Sequence, residues 1–135
     1  MAKFLITPRF LKFAPIIFFA GISMAVYAGL LIPMLARSMG PNVSDADKTS
    51  RACFAMIGIG GGEIIGSLVN GKLNDMLGIK RYLYVCYGQC FVAFVFLFWY
   101  NTVDCFTMPF AVISMFWWGA QDAAITNFFL CIVGF

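Results

Sequence analysis

Four long apolar stretches dominate the chain, and short polar segments separate them. Residues 14–35 and 82–100 carry no charged side chain at all. Residues 46–73 turn apolar after Arg51, with Glu63 in mid-stretch and Lys72 at the end as the remaining charges, and residues 108–135 hold only the charge of Asp122. The apolar runs are continuous and do not alternate with period two. That excludes barrel strands, whose lipid face and lumen face alternate. A hydrocarbon core about 30 Å thick takes about 20 apolar residues of helix. A lipid-exposed backbone must also satisfy its own polar groups. The pattern therefore predicts an all-α membrane protein with four transmembrane helices, over 14–35, 46–73, 82–100 and 108–135, in a single domain spanning 1–135.

The punctuation agrees. Pro15 falls in a first turn, where a missing N–H costs nothing, and Pro33 lies near the end of the first span. Gly40-Pro41 marks a turn. Ser44 is a good N-cap, and Asp45 and Asp47 suit the positive end of the helix that follows. Residues 71–81 read as a short basic turn, and 101–107 as a second loop. Thr107 caps the last helix, with Pro109 in its first turn.

Composition sharpens the class. The chain of 135 residues is 62% hydrophobic and 11% charged, far from a soluble domain, and its 18% aromatic content excludes disorder. The net charge of +3 is too small and too spread for a nucleic-acid partner. There is no histidine, which removes His-based catalysis and most zinc sites. Gly60-Gly61-Gly62 lacks the lysine, the spacing and the preceding strand of a phosphate loop. No catalytic apparatus, metal site or cofactor site is expected. Five cysteines, Cys53, Cys86, Cys90, Cys105 and Cys131, form no CxxC pair and read chiefly as small apolar residues, with Cys105 in a loop.

Charge also orients the chain. With the N-terminus in the cytoplasm, Lys3, Arg9, Lys12, Lys72, Lys80 and Arg81 fall inside, as the lysine and arginine bias prefers. The sequon Asn42-Val43-Ser44 then falls outside, which makes Asn42 a candidate glycosylation site. The basic opening reads as a cytoplasmic flank rather than a mitochondrial targeting segment. A plasma-membrane or endomembrane location follows, with a mitochondrial one as the weaker rival. Tyr82, Tyr84, Trp99 and Tyr100 suit an interfacial aromatic belt.

The candidate functional residues are few. Gly58, Gly62 and Gly66 recur every four residues on one helix face, with Gly60 and Gly61 beside them. Such a face lets another helix approach until backbone contacts drive packing. Glu63 sits mid-span, where a charge costs roughly 2.5–3.5 kcal/mol on insertion scales. Asp122 carries the same cost in the last helix, with Gln121 beside it and Asn127 five residues on. For each carboxylate the functional reading is a proton or cation relay or a solute contact. The structural reading is a hydrogen bond to a neighbouring helix.

The segment Gly71-Lys72-Leu73-Asn74-Asp75-Met76-Leu77-Gly78-Ile79-Lys80-Arg81 resembles the loop signature of the major facilitator superfamily, Gly-x-x-x-Asp-(Arg/Lys)-x-Gly-x-(Arg/Lys)-(Arg/Lys). Met76 stands where the signature has a basic residue. A closer likeness is to the Unc-ninety-three-like, ion-channel regulatory branch. It runs through Pro8-Arg9 to Gly29, through Gly62-Glu63-Ile64-Ile65-Gly66-Ser67, and through Trp118-Gly119-Ala120-Gln121-Asp122-Ala123 to Asn127. The resemblance implies a partial major-facilitator half-bundle, the first four helices of the C-terminal half. It implies that Gly71, Asp75, Gly78, Lys80 and Arg81 form a conformational loop, with Asp75 set against a helix of the other half. The implied roles are solute or ion transport or ion-channel regulation, without a named substrate. The substrate site of such folds lies between halves, so this chain is expected to need the missing half or a protein partner. A fragment, a truncated product and a subunit all remain open. The alternative is a non-transporting membrane subunit that assembles with a channel, receptor or organellar complex through its glycine-rich helix.

Overall fold

The computed structural model describes residues 8–102 and 107–133, and all the regular structure in them is helical. The helices are α1 (Pro8–Gly29), α2 (Leu31–Ser38), α3 (Asp45–Leu77), α4 (Ile79–Thr102) and α5 (Met108–Val133). The chain forms two compact units, Met1–Leu31 and Ile32–Phe135. Lys3 and Cys105, and with Cys105 most of the expected 101–107 loop, lie outside the described residues.

The first expected span is not one helix. α1 ends at Gly29, Leu30 forms a turn, and α2 begins at Leu31. Pro33 explains the break, because it has no N–H for the Gly29 carbonyl and its ring crowds that same carbonyl.

The Ser44 cap is as expected. Its backbone is extended and its hydroxyl accepts from the Asp47 N–H at 3.2 Å. From there α3 runs for 33 residues. At 1.5 Å per residue that is about 50 Å, longer than the hydrocarbon core, so its polar first and last turns extend beyond the apolar stretch. The expected turn over 71–81 is much narrower than the sequence suggested. α3 passes through Lys72, Asn74 and Asp75 without interruption, because none of them breaks a helix. Only Gly78 interrupts, and α4 starts at Ile79.

Two helices are long and apolar enough to cross a membrane, α3 and α4 over Ile79–Tyr100. A third crossing requires Ile17–Val26 and Leu31–Ser38 to act together as one broken span. The candidate crossings among the described residues thus number two to three, against the four expected. α5 is not among the candidates, because Gln121, Asp122 and Asn127 interrupt its apolar run. Its place in the fold accounts for that polarity. Ala111, Ser114, Met115, Trp118, Gln121, Ala124 and Phe128 are all buried, so α5 is the core element of the second unit. Most of the exposed apolar surface of this unit lies on α3 and α4, at Ile57, Ile64, Leu68, Phe91 and Phe98 among others, with Ile113 and Leu130 exposed on α5.

α3 and α5 meet through glycine. A Cβ on Gly58 would lie 2.6 Å from the Val112 carbonyl oxygen, and one on Gly66 would lie 2.6 Å from the Ala120 Cα. A Cβ on Gly62 would overlap the Phe116 carbonyl, and one on Gly119 would overlap the Ile59 carbonyl. The obstacles are backbone atoms, which cannot swing aside. Gly60 is exposed and has open space around it. Gly62→Ala should therefore destabilise the α3–α5 pair by about 1–3 kcal/mol or more through overpacking. Gly60→Ala should be neutral or stabilising by up to about 1 kcal/mol, since alanine is the better helix former. Unfolding midpoints of the two variants in the same detergent check this contrast.

Candidate functional site

The polar residues of the three long helices divide into an outer group and an inner group. The outer group contains the carboxylates. Glu63 is exposed on α3 and Asp122 is half-buried on α5. Glu63 follows Gly62 on α3 and Asp122 comes three residues after Gly119 on α5, so both flank the glycine crossing. Asn127 is on α5 two turns from Ala120, and its Nδ2 donates to the Ser67 carbonyl of α3 at 3.2 Å. The structure thus brings Glu63, Asp122 and Asn127 to the same α3–α5 pair. Glu63 and Asp122 form no salt bridge among the described residues, where the only one is Lys48–Asp45 at 3.6 Å.

The inner group centres on Asn70, which is fully buried and which the sequence reading missed. Its Nδ2 donates to the Ala120 carbonyl at 3.2 Å, and its Oδ1 accepts from Gln89 Nε2 at 3.0 Å. One carboxamide therefore ties α3 to both α4 and α5. Asn74, one turn on, donates to Cys131 Sγ at 3.0 Å. On the α4 side, the Tyr82 hydroxyl donates to the Ala124 carbonyl at 3.2 Å, and Trp117 Nε1 donates to the Gln89 carbonyl at 3.4 Å. Asn70 and Asn74 continue the four-residue register of Gly58, Gly62 and Gly66. That register was the signal that would have found them.

Gly58, Gly62 and Gly66 are buried against the chain's own α5, so this face is already filled. The opposite side of α3 carries the exposed apolar residues. Cys86 and Cys90 are buried thiols, while Cys53 is exposed. No group of three or more His, Cys, Asp or Glu among the described residues is placed to hold a metal ion. Asn42 is exposed just before the Ser44 cap.

The residues of the expected conformational loop cluster at one helix junction. Asp75, Gly78, Lys80 and Arg81 are exposed and Gly71 is half-buried. None of Asp75, Lys80 and Arg81 forms a salt bridge among the described residues. Gly78 has φ 73° and ψ 157°, and its N–H donates to the Asn74 carbonyl at 2.9 Å. That backbone region belongs essentially to glycine. The junction is therefore a single glycine joint between two long helices.

No protein-family model matches the chain, and neither a curated protein nor a solved structure matches it.

Gly78→Ala should cost about 1–3 kcal/mol, the usual strain of a disallowed conformation. The expected result is a lower unfolding midpoint, with protease cleavage appearing near residue 78 in membranes. An unchanged midpoint would mean that the joint tolerates another backbone geometry.

Proposed function

We propose that this chain is the helical part of a membrane transport or ion-channel regulatory assembly, of the kind that the Unc-ninety-three-like branch of the major facilitator superfamily represents, and that it works with a second half or a protein partner. In this reading the chain makes four membrane crossings, with α1 and α2 as one broken crossing and α5 shielded from lipid by its neighbours. The observation that carries the proposal is the pair of mid-helix carboxylates, Glu63 and Asp122, which flank the glycine crossing of α3 and α5. A carboxylate facing lipid is costly, so such residues face protein or water. Neither has a basic partner within the described chain. A proton or cation, or a polar group from the missing half, fits that need.

The Gly78 joint supports the same reading. Long helices on either side of one permissive residue can change their relative tilt without unravelling, and the exposed Asp75, Lys80 and Arg81 stand at the pivot for a partner to engage. A purely structural membrane subunit is the second reading. The exposed apolar side of α3, with Ile57, Ile64 and Leu68, favours it as a contact surface, since the glycine face is filled.

The two readings separate on water access. With native cysteines replaced, a single cysteine is placed at Glu63 or Asp122, and intact membranes are treated with a positively charged, membrane-impermeant methanethiosulfonate. The transport reading predicts labelling at both positions, and slower labelling when a coupling cation is added. No labelling at either position in any condition would overturn it and leave the structural subunit.

A further inference from the structure

The seam between α4 and α5 differs in kind from the crossing of α3 and α5. Its alignment is fixed at two levels. Trp117 Nε1 reaches the Gln89 carbonyl, and the Ala124 carbonyl accepts from the Tyr82 hydroxyl and, at 3.7 Å, from Cys86 Sγ. The two helices therefore run antiparallel here, with α4 residues 82–89 beside α5 residues 117–124. Trp117, Gln121, Ala124 and Phe128 follow helical spacing and share one face. Phe128 lies against Tyr82, with ring centroids 6.4 Å apart. Gln121 thus lies in the seam, between the level of Gln89 and that of Cys86.

Gln121 is 0% exposed, and neither its Oε1 nor its Nε2 has a hydrogen-bond partner in the protein. Gln89 Oε1 is also buried without a partner, and so is Ser114 Oγ two turns before Gln121 on α5. Opposite them, α4 presents the buried small residues Cys86, Cys90 and Ala93. Leaving a buried amide unpaired costs several times what an interhelical hydrogen bond returns in a membrane. Three elements of the seam therefore call for a bonding species from outside the chain. Gln121 offers both a donor and an acceptor, and Gln89 adds an acceptor. The side chains that line the seam through these contacts, Tyr82, Cys86, Gln89, Trp117 and Gln121, are all uncharged. The chemistry suits a small uncharged molecule that donates and accepts. An ion would meet no countercharge.

We propose that the α4–α5 seam around Gln121 is a hydration site, and that water is its occupant, bonded to the Gln121 amide and to Gln89 Oε1. A buried water needs two to four polar partners, which these groups supply. The α3–α5 crossing stays dry, because backbone fills it. This inference does not rest on the proposed function.

The test is water-edited solid-state NMR on the whole chain in lipid bilayers, with glutamine and asparagine side chains labelled with nitrogen-15. Gln121→Met, which keeps the volume and removes the amide, identifies the Gln121 peak by its loss. Magnetisation from water should build up on Gln121 Nε2 several-fold faster than on Asn70 Nδ2, whose hydrogen bonds are made within the protein. Build-up on Gln121 as slow as on Asn70 would overturn the proposal. The measurement reads the natural protein, so a variant that folds poorly affects the assignment and not the result.

Discussion

The second unit depends on how closely α3 and α5 approach. At Gly58, Gly62 and Gly66 on one helix and Gly119 on the other, the nearest obstacle to a side chain is the partner's backbone. Helices in lipid gain no hydrophobic drive from meeting each other, so dispersion contacts and interhelical hydrogen bonds must hold them. Close approach supplies both. It lets the carboxamides of Asn70 and Asn127 reach across to main-chain carbonyls. It also explains how α5 keeps a glutamine, an aspartate and an asparagine in its central turns. Those residues are partly or wholly shielded by neighbours, so the helix need not be apolar enough to face lipid by itself.

The same constraint separates the two interfaces of α5. Towards α3 it is packed backbone to backbone. Towards α4 it is packed through aromatic rings, Phe94 with Trp118 and Phe96 with Phe110, and through thiols and polar side chains. Tyr100 stacks on Phe110 with planes 5° apart, closing that end of the seam. A helix pair packed backbone to backbone thus lies beside a seam packed through rings and polar side chains, and Gly78 joins α3 to α4 at one end.

Much of this was legible in the sequence. The Ser44 cap followed from an N-cap residue with two aspartates after it. The glycine face followed from strict four-residue spacing, though not its partner, because spacing names a face and not what covers it. Three features were hidden for physical reasons. The break at Leu30 was masked because the hydropathy of residues 14–35 is continuous, while Pro33 acts on the carbonyl four residues earlier. The basic turn over 71–81 looked long because its charges suggested a loop, yet only Gly78 has a backbone that a helix cannot accommodate. Asn70 was overlooked because the helix was expected to end within a turn of it, where an asparagine is ordinary. Its role appears only when α3 is continued and the register of Gly66 is carried on. The resemblance to the major facilitator superfamily rests on short motifs, and their contribution here is the Gly78 joint with its exposed charges.

The direct test of the α3–α5 crossing is a carbon-13 through-space correlation in bilayers, with glycine labelled at Cα and phenylalanine at the carbonyl. The account predicts a strong cross-peak between Gly62 Cα and the Phe116 carbonyl carbon in the unmodified chain. Absence of that peak, while cross-peaks between sequence neighbours are present, would mean the helices are held apart, and the account of the fold would fail.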